Sequence, residues 1–226
     1  MCFSAEADLA VGVGLLPVAA LALREVRHVR EVPFASLPLL FALHQLTEVL
    51  VWAGVGGSVG PTARDGASLA YVLFALPVLP TLLPLAVLLL EPRGARLRVA
   101  PFVGLGVVVS TYFAVFVLDG PVVVEQEPSA LIYSVGLSDG AVWTTLYVVA
   151  VIGPSLLSGY PSIVWFGVLN LVGLVSVAVL YAEALASLWC VWAAATSLLV
   201  LVHLRLRRRL PDPHRLEGEP LVRLRA

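Results

Sequence analysis

The chain alternates long apolar stretches with short polar joints. Seven stretches are long enough, or nearly so, for helices that cross a membrane, which need about 20 residues. They run over Leu9–Leu23, Pro33–Ala53, Ser68–Leu90, Val99–Leu118, Ala141–Leu157, Ile163–Ala182 and Leu185–Leu204. The second carries a polar stripe. At 100° per residue, Phe41, His44, Gln45, Glu48 and Trp52 fall on one helix face. An acid at the centre of an inserted helix costs roughly 3 kcal/mol, less toward the ends. Glu48 therefore marks a functional-site candidate.

The joints set an orientation. Arg24, Arg27 and Arg30 follow the first segment, Arg93, Arg96 and Arg98 the third, and Arg205, Arg207, Arg208 and Arg209 the seventh. The joint after the second segment holds only Arg64. The joint Asp119–Gly140 holds no base and four acids, Asp119, Glu125, Glu127 and Asp139. Basic residues collect on the cytoplasmic side of membrane proteins. The expected fold is thus an all-α bundle of seven transmembrane helices, N-terminus outside and C-terminus cytoplasmic. The bundle would occupy residues 1–206, with a polar cytoplasmic tail over 207–226.

Composition supports a membrane protein. Of 226 residues, 60% are hydrophobic and 13% charged, against about 25% charged in soluble domains. The lipid bilayer is the expected partner; no nucleic-acid partner is expected, and nothing fixes an oligomeric state. Every basic residue is Arg, which excludes lysine chemistry, including a retinal Schiff base. The opening MCFSAEAD has two acids and no base, unlike a secretory leader, so the first apolar segment reads as a retained helix. Pro77, Pro80 and Pro84 recur at helical spacing and predict a kink or unwound turn in the third segment. That bend is either a pocket wall or a packing detail.

Orientation places Glu48 and His44 in the outer half of the bundle, level with Cys190 and with Cys2 in the external N-terminal segment. His203 lies at the inner end of the last segment. Four readings of this group are open. Cys2, His44, Glu48 and Cys190 form a zinc-type ligand set, although no CxxC, HxxxH or HExxH spacing supports it. Cys2 and Cys190 can pair as a disulfide in an oxidising exterior. Cys2 can serve as a nucleophile with His44 as base and Glu48 as orienter. Glu48, away from water where the neutral form is favoured, can give a proton or a hydrogen bond. Against these stands a purely structural role, in which His44 and Glu48 satisfy each other and fasten helices. Ala186, Cys190 and Ala194 form a small-residue stripe suited to close packing. The aromatics Trp52, Tyr71, Tyr112, Trp143, Tyr147, Tyr181, Trp189 and Trp192 either wall a pocket or form an interfacial belt. Gln45, Trp52, Tyr147, Trp189 and Asn170 are the candidate ligand contacts. Asn170, near Gly167 and Gly173, is most simply an interhelical hydrogen bonder.

Three patches, MCFSAEA at the start, HQLTEVLVW at His44–Trp52 and SLWCVWAA at Ser187–Ala194, resemble a family of small bacterial multi-pass membrane proteins of unknown function. Its members begin MCFSA or MCWSP. They carry Q-x-x-E-x-x-x-W in the second helix and S-x-W-C near the last. The resemblance makes Cys2, Ser4, Gln45, Glu48, Trp52, Trp189 and Cys190 the signature positions and His44 a less typical one. It implies a bacterial cytoplasmic (inner) membrane location and supplies no activity. Zinc-dependent seven-helix hydrolases fit poorly because their paired C-terminal His residues are missing. Small seven-helix terpene cyclases share intramembrane acids and aromatic walls, by analogy alone. The function expected is an outer-leaflet pocket around Glu48 that binds, and in one version transforms, a small lipophilic molecule by acid or thiol/metal chemistry. The alternatives are a proton-coupled transporter or sensor, and a structural or accessory membrane protein.

Overall fold

The computed structural model describes residues 4–127, 130–180 and 185–207, without the side chains of residues 93 and 185–187. Seven helical segments follow one another: α1 Ala5–Arg24, α2 Val29–Val55, α3 Pro61–Leu90, α4 Arg96–Asp119, α5 Gly140–Leu156, α6 Pro161–Leu180, and α7, which runs Leu185–Thr196 and resumes at Leu198–Arg207. Six are long and apolar enough to cross a membrane; α5, with 17 residues, is shorter. The helical bundle expected from the apolar pattern is thus present.

Apolar side chains cover the outside of the bundle as well as filling its core. On α2, His44, Gln45 and Glu48 face inward while Leu43 and Leu50 are exposed. Val107, Val115, Val172 and Val179 are exposed on α4 and α6. Broad apolar outer faces of this kind suit a lipid environment. α1 packs chiefly on α2, and α3 contacts α2, α4 and α5. α5 meets α6, α6 meets α7, and α7 returns to α1 and α2. α2 and α7 are the most buried of the six spans.

Two features depart from the sequence expectation, and a third gives the expected proline irregularity its form. α1 begins at Ala5 rather than Leu9, because Asp8 continues the inward stripe of Gly12, Leu15 and Ala19. Its polar start is tolerated because that acid faces protein, not lipid. The joint after α4 is not wholly irregular: β1 Val123–Glu127 and β2 Ala130–Ser134 pair antiparallel, Val124 opposite Tyr133 and Gln126 opposite Leu131. The bundle is therefore not strictly all-α. Alternation puts Leu131 and Tyr133 on one side of β2, and Leu131 packs against Val51 and Ala67 near the end of α2.

The third is a single π-helical turn, Phe74–Val78, inside α3. There the Leu79 amide donates to Phe74 O, one residue further back than in an α-helix. The next amide in that register belongs to residue 80, a proline without an N–H, so the Ala75 carbonyl loses its helical partner. The Tyr147 hydroxyl from α5 donates to it at 2.6 Å. The kink expected from the prolines thus becomes a joint between α3 and α5. Nearby, a Cβ on Gly106 of α4 would lie 1.9 Å from the Pro80 carbonyl oxygen, so only glycine allows the two helices to come this close.

Candidate functional site

A buried polar cluster forms at the end of the bundle where α1 starts, α2 ends and the hairpin sits. α2 contributes His44, Gln45 and Glu48, with Gln45 and Glu48 wholly buried. α1 contributes Asp8, 1% exposed, which accepts a 2.8 Å hydrogen bond from Trp52 Nε1. Gly12 permits this approach, since a Cβ there would stand 2.9 Å from the Leu46 side chain. α3 contributes Tyr71, and the hairpin contributes Tyr133, whose hydroxyl donates to Glu48 Oε1 at 3.5 Å. α7 contributes Cys190, a buried free thiol.

Three rings organise the cluster. Tyr71 lies between His44, at 3.9 Å between centroids, and Tyr133, at 4.4 Å, both near parallel. Phe74 of the π-helical turn leans on the other side of His44 at 4.8 Å. The Tyr71 hydroxyl neighbours the Cys190 thiol without meeting hydrogen-bond geometry. Burial first, and then the charge of Glu48, push the Tyr133 hydroxyl well above the ordinary tyrosine range. Tyr133 therefore stays protonated and serves as the donor to Glu48.

His44 does not pair with Glu48. Neither ring nitrogen of His44 and neither amide atom of Gln45 has a hydrogen-bond partner among the described residues. The mutually satisfied His44–Glu48 pair weighed above is not formed, because stacking on Tyr71 dictates the orientation of the ring. Trp52, a candidate ligand contact, is committed to Asp8. Among the described residues, no group of three His, Cys, Asp or Glu side chains is placed to hold a metal. Cys2 lies outside the described residues, and with it the nucleophile reading, the disulfide to Cys190 and the fourth zinc ligand; Tyr181 lies outside them too.

A cavity of about 200 Å³ adjoins the cluster. Ala75, Tyr133, Tyr147, Leu174, Trp189 and Cys190 line it. Glu48, His44 and Gln45 do not; Tyr133 belongs to both the cavity wall and the cluster. Tyr147 and Trp189, read as ligand contacts or belt residues, face this space. Asn170 instead fastens helices, donating from Nδ2 to Phe166 O at 2.8 Å and to Thr196 Oγ1 of α7 at 3.0 Å. Trp192 is likewise engaged, with Nε1 donating to Leu169 O at 2.8 Å.

The opposite, Arg-rich end is built differently. Arg207 is 3.7 Å from Glu31 and lies over the Tyr160 ring at 5.0 Å. Arg205 reaches Glu25 at 3.6 Å. Glu91 accepts from the Ser158 hydroxyl and from Gly159 N, with Arg98 at 4.0 Å. His203 bonds Ser162 Oγ at 2.7 Å. There each acid faces a base. At the Glu48 end two buried acids, Asp8 and Glu48, accept hydrogen bonds from Trp52 and Tyr133.

A family profile matches residues 1–215. The chain belongs to the family of unknown function DUF6629. This agrees with the resemblance read from the sequence. Neither the curated proteins nor the solved structures compared with it hold a match. For this DUF6629 member, function therefore has to be argued from the site itself.

Sequence reasoning missed Asp8 and Tyr133. Asp8 stands four residues before Gly12, at helical spacing, and that was the available signal. Tyr133 stands in a run, Ala130–Ser134, that is apolar enough for a strand but was absorbed into an acidic loop.

Proposed function

We propose that this DUF6629 protein is a multi-pass membrane protein of the bacterial cytoplasmic membrane that binds a small lipophilic molecule in the cavity beside Glu48. The observation that carries the reading is the cavity of about 200 Å³ whose wall includes Tyr133, Tyr147, Trp189 and Cys190. A void of about 150 Å³ lined by apolar groups binds benzene, so a somewhat larger aromatic fits here. Arg24, Arg96, Arg98, Arg205 and Arg207 gather at the other end, which supports a cytoplasmic assignment for that end and an outer-leaflet site. Glu48 acts on the cavity through Tyr133, which it holds by a hydrogen bond. That arrangement gives the wall a hydroxyl fixed in direction.

The test is saturable binding of propylbenzene to the purified protein in nanodiscs. Val148 lines the cavity, and Val148→Trp fills it. Saturable binding to the unmodified protein that is lost in Val148→Trp supports the reading. Non-saturable partition alone, or equal binding by both proteins, overturns it.

The presence of Asp8 beside the Glu48 cluster favours a second reading, proton-coupled transport or sensing. Two acids in one buried site repel each other when both are charged, so a change of proton occupancy would reposition Trp52 and Tyr133. Proton release or uptake on ligand binding, abolished in Glu48→Gln, would support it; proton-neutral binding would exclude it.

A further inference from the structure

Trp189 divides two spaces inside the bundle. On one side lies the cavity of about 200 Å³, and on the other a smaller one of about 10 Å³, close to the least that holds a water. Trp189 and Cys190 line both. The remaining walls place the smaller space one turn deeper, toward the Arg-rich end. On α3 the wall passes from Ala75 to Leu79, on α5 from Tyr147 to Val151, and on α6 from Leu174 to Asn170. Each step is four residues, about 6 Å along a helix. On α7, Ala193 lies on the wall of the smaller space and not of the larger.

The indole at this boundary is held by packing. Trp52 and Trp192 each donate a hydrogen bond from Nε1. Trp189 Nε1 has no hydrogen-bond partner among the described residues. Its ring meets Tyr147 edge-on, with centroids 6.0 Å apart, and Tyr147 is fixed by its bond to Ala75 O. Removing the indole therefore breaks no hydrogen bond among the described residues, and it joins the two spaces end to end. Below the indole the smaller space is lined by Phe41, Leu83 and Ile152, so the joined volume is an apolar slot suited to a chain.

We propose that Trp189 is the floor of the ligand cavity and sets the length of the molecule it admits: a compact ring with a short chain enters, and a long alkyl chain does not. This rests on the cavity being a ligand site. In a bilayer the commonest competitors for an apolar cavity are the acyl chains of the lipid itself. Hydrocarbon gains little by leaving lipid for an equally apolar wall, so discrimination against those chains has to be steric. A floor one turn above the end of the available slot supplies it.

Two probes test this: propylbenzene and heptylbenzene, whose chain is longer by about one helical turn. Saturable binding above the partition into protein-free nanodiscs is measured on the full chain for the unmodified protein, for Trp189→Ala, and for Trp189→Ala combined with Ala193→Leu. The unmodified protein should bind heptylbenzene at least about tenfold more weakly than propylbenzene, the scale of overpacking a filled site. Trp189→Ala should close most of that gap. Ala193→Leu, one turn along α7, fills the lower space and should reopen it. Equal binding of both probes by the unmodified protein, or a gap that Trp189→Ala leaves unchanged, overturns the floor and leaves the cavity reading standing, since propylbenzene still binds. A double variant that binds heptylbenzene as well as Trp189→Ala does also overturns it, because the chain then does not enter the lower space. Failure of propylbenzene to bind the unmodified protein sinks the cavity reading and the floor with it. If Trp189→Ala does not fold, Trp189→Phe should narrow the gap, and an unchanged gap overturns the floor. If neither folds, the gap between the probes in the unmodified protein decides.

Discussion

The joint between α3 and α5 is open to a quantitative test through Tyr147→Phe. The substitution keeps the ring that lines the cavity and removes one hydroxyl. That hydroxyl is the donor at 2.6 Å to Ala75 O, the carbonyl whose π-register amide would come from Pro80. Ala75 is buried and borders the cavity, so the lost bond is replaced only by what enters that cavity. An unsatisfied buried carbonyl costs about 1–3 kcal/mol, and Tyr147→Phe should lose about 2 kcal/mol of unfolding free energy. The cause is checked by restoring the missing amide. Pro80→Ala provides an N–H in register with Ala75 O, so Tyr147→Phe should cost about 1 kcal/mol less in that background. The assay is a double-mutant cycle of equilibrium unfolding in mixed micelles with a denaturing detergent, followed by far-ultraviolet circular dichroism. A coupling within about 0.5 kcal/mol of zero is ordinary additivity and would refute the derivation. So would a Tyr147→Phe protein as stable as the unmodified one.

Two further pairs of substitutions test the placement of the neighbouring helices by the same unfolding measurement. Trp52→Phe leaves Asp8 Oδ2 without its 2.8 Å donor and should cost about 1–3 kcal/mol; Asp8→Asn keeps an acceptor for Trp52 and should cost less, and the reverse order would contradict the assigned bond. Gly106→Ala places a Cβ 1.9 Å from the Pro80 carbonyl oxygen, while Gly104→Ala on the same helix meets nothing within 4 Å. The first should destabilise by about 2 kcal/mol or more and the second by less than about 0.5 kcal/mol; equal effects would mean that the α3–α4 approach is not as close as described.

The helices were legible because a membrane span must be long and apolar, whatever its partners. Seven apolar runs became seven helical segments, and among the described residues only α5 falls short of the spanning length. Glu48 and Gln45 were legible for the complementary reason: a carboxylate is expensive in such a run unless protein surrounds it. What was lost lay at the segment ends. Asp8 looked external because polar residues at a helix start weaken the apolar signal that marks the boundary. Tyr133 was hidden because a five-residue strand beside acids has too short a period-2 pattern to stand out. The prolines announced a bend. That a tyrosine from another helix would repair the Ala75 carbonyl is a property of packing, which no local pattern carries.

The two ends of the bundle bear on whether the polar residues are only fasteners. A fastening role is satisfied by pairing, and the acids of the Arg-rich end follow that rule: Glu31 has Arg207, Glu25 has Arg205, and Glu91 has Arg98 and two hydrogen-bond donors, although His203 Nε2 and Arg96 Nη2 lack hydrogen-bond partners there among the described residues. Asn170 follows it as well, with two acceptors in reach. The Glu48 end is built from other groups. It gathers two acids, a stacked histidine and an amide whose nitrogens have no hydrogen-bond partners among the described residues, and the Cys190 thiol, which with Tyr133 borders the cavity. A buried polar group without a partner costs about 1–3 kcal/mol. Both ends carry buried polar atoms without hydrogen-bond partners among the described residues, and what sets the Glu48 end apart is the adjoining cavity that Tyr133 and Cys190 line.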